Sequence, residues 1–323
     1  MKVLVTGGAG YVGSHLVDKL LATEHDVVVL DDFSLGKREN IQHNLSSPAF
    51  QLVEGSITEP GTVKKVMDGC ELVFHLAARV GIKYIVDDPL RGILTNVVGT
   101  ETVLKEAYRR GARVLFASTS EVYGRSKAVP FREDGERLLG STSVARWSYS
   151  SAKAIDEHLA LAYAREGLRV AIVRYFNSYG PRLDPVGYGS VVAKFITQAL
   201  TGRPITVHSD GQQTRSFTFV DDTVEGTILA ATMPAGEGQV FNLGNGREVA
   251  VLELAQMVKA ITGSASPIEH VDYSAVFGPN FEDIPRRVPD VEKARRVLGF
   301  EAKVPLEKGL KVTIDWMKRT LGD

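Results

Sequence analysis

VTGGAGYVGSHL, residues Val5–Leu16, joins an apolar, β-rich run to an amphipathic helical one. Gly7, Gly10 and Gly13 repeat as G-x-x-G-x-x-G across that junction. Glycines at this spacing allow a tight turn, let backbone N–H groups approach a pyrophosphate, and let the helix pack close to the strand. A glycine-rich turn alone is a weak signal, but here it stands between a strand and a helix, the context a dinucleotide requires. The next apolar run, DVVVLDD, ends in Asp31 and Asp32. A carboxylate about twenty residues beyond such a turn accepts hydrogen bonds from the adenosine ribose and repels a 2′-phosphate, so the pattern reads as NAD rather than NADP. Asp31 is expected at the ribose; Asp32 is the alternative, or caps the following loop.

Outward from this unit, strands and helices alternate. KVLVTG, DVVVLDD, FQLVEG, ELVFHLAA, RVLFAS and RVAIVRYF are continuous apolar runs. Between them lie the helical patterns GSHLVDKLLATE, TVKKVMDG, NVVGTETVLKEAYRRG and YSSAKAIDEHLALAYAREG. Apolar strands separated by amphipathic helices predict an α/β fold, a Rossmann-like doubly wound parallel sheet covered on both faces. The pattern changes near Asn177. Residues 177–215 are rich in Gly, Pro and Arg, RSFTFVDDTVEGTILAA reads as a return to the main sheet, and QVFNLGNG follows. The expected division is 1–176 plus about 216–245 as the NAD-binding domain, and 177–215 plus 246–323 as a smaller C-terminal α/β domain for substrate. A final helix after Pro305 places Leu306, Leu310, Ile314, Met317 and Leu321 on one face, read as core packing.

With 323 residues, 44% of them hydrophobic, the chain can bury a sizeable core. It carries 38 basic and 39 acidic residues, a formal charge of −1. Nothing in that balance favours nucleic acid or an anionic membrane, so an anionic ligand must be held by local features. The lone Cys70 excludes an internal disulfide and fits a reducing compartment. No apolar run reaches the ~18 residues of a membrane helix, and Met1 runs almost directly into a strand. The expectation is a cytoplasmic protein.

RWSYSSAKAIDEH carries Tyr149 and Lys153, four apart and so on one helix face. A phenol of pKa near 10 is only ~0.1% ionised at pH 7, and using its anion as a base costs about 4 kcal/mol. A lysine ammonium and an oxidised nicotinamide both favour the phenolate. Tyr149 is then expected to take a proton from a substrate alcohol as hydride leaves for NAD⁺, beside the hydroxyl-rich strand end Ser118, Thr119 and Ser120.

TGGAGYVGSHL, HLAA, STSEVYG, YSSAK, RYFNSYGPR, GQQTRSFTFVDD and PRRVPD together resemble the extended short-chain dehydrogenase/reductases, the NAD-dependent epimerase/dehydratases of nucleotide sugars. The resemblance covers nearly the whole chain. It implies a retained NAD held by Gly7, Gly10, Tyr11, Val12, Gly13, Asp31, Asp32, Ser56, Ile57, Leu76, Ala77, Ala78, Asn96, Tyr149 and Lys153. It implies a nucleoside-diphosphate hexose oxidised at C4, and often a homodimer built from two helices per subunit. Asn177 and Arg215 are implied at the diphosphate with Arg182 nearby, and PITVH, with Val207, beside the base. Ser56 departs from the pattern, since relatives usually carry Asp there to contact adenine.

The position of Glu121 separates three chemistries that share a 4-ketone. Epimerases usually carry a small residue there. Dehydratases keep the Glu but precede it with an Asp acid, where this chain has Ser120. UDP-glucuronate decarboxylases, of the UDP-xylose synthase type, are most similar: Thr119-Ser120-Glu121, then Arg146-Trp147 before the Tyr-x-x-x-Lys, then Arg287. A C4 ketone lies β to the C6 carboxylate and can accept the electrons released with CO₂. Arg287 is expected to supply positive charge there and later a proton to C5, with Arg286, or a salt bridge to Asp290 or Glu282, as alternatives. Two ionised carboxylates ~4 Å apart repel by roughly 4 kcal/mol at an effective dielectric near 20, so Glu121 is expected to be protonated beside substrate. The remaining readings are a UDP-glucuronate or UDP-glucose 4-epimerase, a 4,6-dehydratase, and a non-catalytic NAD sensor. His75, His158 and His208 lack metal-ligand spacing, and no metal is expected; His75 is expected to pack against the cofactor. Asp221 and Asp222 read as a helix N-cap.

Overall fold

The structure, a computed structural model, describes residues 1–184, 190–272 and 282–322. The six expected apolar runs form β1 (Lys2–Thr6), β2 (Asp26–Asp31), β3 (Phe50–Glu54), β4 (Leu72–His75), β5 (Arg113–Thr119) and β6 (Val170–Tyr175). Counting the short strands introduced below, a seventh, β11 (Val240–Leu243), completes the sheet in the order β3-β2-β1-β4-β5-β6-β11. Every pairing in it is parallel. Side-chain alternation along β1 sends Val3 and Val5 into one apolar cluster and Leu4 into the other. Helices α1 (Tyr11–Ala22) and α7 (Val220–Thr232) cover the first face; α2 (Pro60–Val66), α4 (Pro89–Arg110) and α5 (Trp147–Arg165) cover the second. The short α3 (Ile82–Asp87) leads into α4, which Asp88 caps by accepting the Arg91 N–H at 3.2 Å.

The second lobe holds α6 (Val191–Leu200), α8 (Val251–Thr262) and the final helix, Leu306–Gly322. Strand β8 (Ile205–His208) pairs in parallel with β13 (Ile268–Val271). Strand β9 (Thr214–Arg215) lies between β12 (Val249–Ala250) and β14 (Arg286–Arg287). Leu254, Leu310 and Met317 of this lobe belong to the same buried cluster as Val3 and Val5.

Three expectations are corrected here. RSFTFV does not rejoin the main sheet: β10 (Thr218–Phe219) pairs with β7 (Ser178–Tyr179) in a separate two-stranded piece, and the chain passes directly into α7. The return is made by β11, at the sheet edge. Asp222 caps no helix; Phe219 occupies that position, and Asp222 instead accepts the Lys303 and Val304 N–H groups at 3.1 and 2.9 Å, tying down the approach to the final helix. On that helix Leu306, Leu310, Ile314 and Met317 are buried as expected, but Leu321 is exposed, one turn beyond the core it would need.

Candidate active site

The strand order reverses between β1 and β4, and a cleft opens at the carboxyl ends of the strands around that point, where doubly wound sheets bind ligands. The β1–α1 turn contributes Gly7, Gly10, Tyr11, Val12 and Gly13; Asp31, Asp32, Ile57, Leu76, Ala77 and Ala78 follow along the wall. At the other end stand Thr119, Ser120, Glu121, Tyr149, Lys153, Asn177 and Arg287.

The glycine turn is built to the limit of backbone contact. Gly7 has φ +72°, and a β-carbon there would lie 2.7 Å from Ala77 N. One at Gly13 would lie 2.9 Å from both Gly7 C and Gly8 Cα. Gly10 differs: apart from Gly7 O at 3.1 Å its side is open, so the first-turn N–H groups of α1 face the cleft bare. Asp31 accepts the Ala9 and Phe33 N–H groups, each at 2.9 Å, one per carboxylate oxygen. Burial pushes its carboxyl up, and the two amides oppose this. Asp32 is exposed and binds Ser34 through one oxygen. An open helix N-terminus with an acid at the end of β2 fits a dinucleotide pyrophosphate and ribose. The residues present therefore fit NAD.

At the opposite end a buried ion pair sets the register. Glu157 on α5 accepts from Arg174 of β6 at 2.9 and 2.6 Å and from the Ser118 hydroxyl of β5 at 2.5 Å. This locks α5 against the strand ends, so Tyr149, on the same helix face as Lys153, meets Thr119 and Glu121 across the cleft. After β5 the chain makes a short 3₁₀ turn, Ser120–Tyr123, begun by the Thr119 hydroxyl accepting the Glu121 N–H at 3.2 Å. Burial raises the Tyr149 phenol well above its ordinary value, Glu121 adds to this, and the Thr119 hydroxyl opposes it. Burial lowers the Lys153 ammonium.

Glu121 lies in a cluster of arginines. One oxygen pairs with Arg287, the other with Arg146 Nη2 at 3.4 Å. Arg146 also reaches Asp283 at 3.5 Å, and Arg215 binds Asp283 twice at 3.0 Å. Burial alone would raise the Glu121 carboxyl, but Arg287, Arg146 and Arg215 outweigh it and hold Glu121 ionised. The expectation of a protonated Glu121 applies beside a bound uronate; without substrate the carboxylate is ionised, because three guanidiniums that no local sequence pattern brings together converge on it. Arg146, Arg215 and Arg287 share Glu121 and Asp283, and of the three arginines Arg146 and Arg287 line the cleft. Arg287 Nε and Asn177 Oδ1 are buried there without hydrogen-bond partners. Arg287 pairs with neither Asp290 nor Glu282, and Arg286 points away to Glu248 at 2.8 Å.

Several expected residues lie elsewhere. Arg182 is outside the cleft wall and pairs with Asp18 of α1 at 2.6 Å. Arg215 is buried behind Arg287, its neighbour in register on β14, and does not line the cleft. Val207 is fully buried, because strand alternation on β8 turns it into the core with Ile205. The Ser56 hydroxyl shares a hydrogen bond with the Thr58 hydroxyl at 2.8 Å, accepts the Thr58 N–H at 3.2 Å, and borders a recess beyond Asp32. Asn96 braces the cleft from behind, accepting the Arg79 N–H at 2.8 Å. His75 is completely buried beneath the sheet end, not against the cleft; burial pulls its imidazole down to about 3. Arg146, Tyr175, Ser178 and Phe217 also line the cleft. Only Arg146, beside Trp147 in a motif, carried a signal.

Fold and site together define an NAD-dependent enzyme of the short-chain dehydrogenase/reductase class. The profile of the NAD dependent epimerase/dehydratase family matches residues 3–244, and the chain belongs to that family. It is 41% identical over 322 residues to a UDP-N-acetyl-alpha-D-glucosaminuronate decarboxylase of Bacillus cytotoxicus, covering 100% of this chain and 99% of that one. It is 41% identical to UDP-glucuronic acid decarboxylase 4 of Arabidopsis thaliana, covering 100% of this chain and 70% of that one. Among solved structures, a UDP-glucose 4-epimerase of Thermotoga maritima superimposes with a TM-score of 0.90 at 35% identity, over 99% of this chain and 100% of that one. A UDP-glucuronic acid 4-epimerase of Bacillus cereus gives 0.88 at 29% identity, with the same coverage.

Proposed function

We propose that the protein is a UDP-glucuronate decarboxylase that oxidises the sugar at C4, loses CO₂ from C6 and re-reduces the ring to a UDP-pentose. The observation that carries this reading is the placement of the Arg146 and Arg287 guanidiniums in the cleft wall that also holds Tyr149. A neutral hexose has no use for them; a uronate carboxylate does. Similarity to uronate decarboxylases along the whole chain supports the same reading.

NAD⁺, held by the glycine turn and Asp31, would supply the hydride acceptor for C4 and, reduced, the hydride for the final reduction. Tyr149 takes the C4 hydroxyl proton, with Lys153 and the Thr119 hydroxyl beside it. The ketone so formed is β to the carboxylate and receives the electron pair of the C5–C6 bond as CO₂ departs. Arg287 first neutralises the carboxylate, then, directly or through water, protonates C5. Ionised Glu121 occupies Arg287 and Arg146 when substrate is absent and keeps both guanidiniums aimed at the cleft. Asn177, at the cleft wall, belongs with the diphosphate, to which its amide NH₂ can donate. Residues 1–176 with about 216–245 hold NAD, and 177–215 with 246–323 hold the sugar nucleotide. The subunits pair through α4 and α5, whose Val98, Tyr108 and Ile155 are exposed.

The test is to incubate the protein with UDP-glucuronate, and separately with its 2-acetamido analogue, and to weigh the products. Loss of the mass of CO₂ from UDP-glucuronate is expected. Equal mass with a new sugar would make the protein an epimerase, and loss of water a dehydratase. Tyr149→Phe should lower CO₂ release by about 10³-fold; undiminished release would end the assignment of Tyr149.

A further inference from the structure

One buried charge at the site has no place in the chemistry above. Asp156, on α5, is 0% exposed, and neither of its carboxylate oxygens makes a hydrogen bond of good geometry. Among the described residues its ion-pair partner is Lys153, with Nζ 3.9 Å from Oδ2 one helical turn back. Lys153 is itself 2% exposed, and its ammonium lies 4.2 Å from the centre of the Phe116 ring. We infer that Asp156 is a positioning residue, the buried counter-ion that keeps Lys153 charged at the wall of the cleft. This rests on the roles proposed above for Tyr149 and Lys153.

The surroundings leave that task to Asp156. An isolated ammonium in so dry a place sheds its proton unless an anion is near. Glu157, the next residue, also faces Lys153, but its carboxylate is taken by Arg174 and Ser118. From α4 the Thr100 hydroxyl faces Asp156. Beyond it, on β4, His75 is held between Thr6 at 2.7 Å and Thr100 at 3.0 Å and is neutral at working pH. Tyr149, on the same helix, also feels the Asp156 charge, which raises its phenol further. A carboxylate kept only to fasten the fold would have its oxygens satisfied by donors; here it has a charge partner and little else. Burial pushes the Asp156 carboxyl up to about 7, and the Lys153 ammonium opposes that rise.

The NAD-loaded enzyme tests this directly. In Asp156→Asn the ammonium loses its counter-ion and deprotonates at lower pH. The alkaline limb of turnover against pH should move down by about one unit or more, a roughly tenfold loss at pH 8.5, with activity at pH 6 near that of the parent. Asp156→Ser should show the same displacement. An unmoved limb, or an equal loss at every pH, would overturn the inference. If neither variant folds, Lys153→Met carries the test without turnover. Removing the cation should let the infrared carbonyl band of the protonated Asp156 acid persist to higher pH than in the parent, and an unchanged titration would refute the pairing. That measurement stands apart from the assignment of Tyr149, which the Tyr149→Phe assay decides.

Discussion

Glu121 carries a charge that its burial opposes and three arginines sustain. Because its folded carboxyl lies below the ordinary value, its contribution to stability is present above the unfolded pKa and fades as pH falls through the folded one. Glu121→Gln should therefore destabilise the protein by about 3 kcal/mol at pH 7, since it leaves buried guanidiniums without their anion. Urea unfolding at a series of pH values should show this gap narrowing as pH falls below the ordinary glutamate range and the parent's own carboxylate protonates. An equal gap at every pH would mean that charge is not what Glu121 provides. The sequence marked Glu121, Arg146 and Arg287 as members of motifs, but their ionisation depends on distances between residues 25 and 166 positions apart, which no local pattern encodes.

At the scale of elements, the β1–α1 unit is the most legible part of the chain and the least tolerant. Gly13 packs against the backbone of Gly7 and Gly8, which cannot yield as a side chain would. Gly13→Ala should cost about 3 kcal/mol through overpacking and abolish retained NAD. Both are read from the melting temperature and the ultraviolet absorbance of the purified protein; a variant that keeps its dinucleotide would show that the turn has slack. Helix α5 tells a different story. Its Tyr-x-x-x-Lys spacing is visible in the sequence, yet what aims it is Glu157, bridging β5 and β6. The two aspartates before EGTILAA illustrate the same limit: a local rule assigns them to their own helix, whereas Asp222 serves a loop some eighty residues on.

For the whole molecule, one shared core joins the two lobes, so the cleft between them is held by packing and not by a linker. The outer faces of α4 and α5 leave Val98, Tyr108 and Ile155 to solvent. If these helices form the subunit contact, Val98→Glu should turn a dimer into a monomer that retains NAD, as measured by light scattering during gel filtration; an unchanged mass would place the contact elsewhere or remove it. The sequence by itself determined six of the sheet's seven strands, the glycine turn, the acid at the end of β2 and the Tyr149–Lys153 pair, because each is a pattern within one strand, turn or helix. Only the tertiary structure decided that Val207 faces the core, that Arg182 answers Asp18, that Arg215 stands behind Arg287, and that Asp156 lies sealed beside Lys153. Those outcomes depend on which segments the fold brings within a few ångströms of one another, and on how little water is left between them.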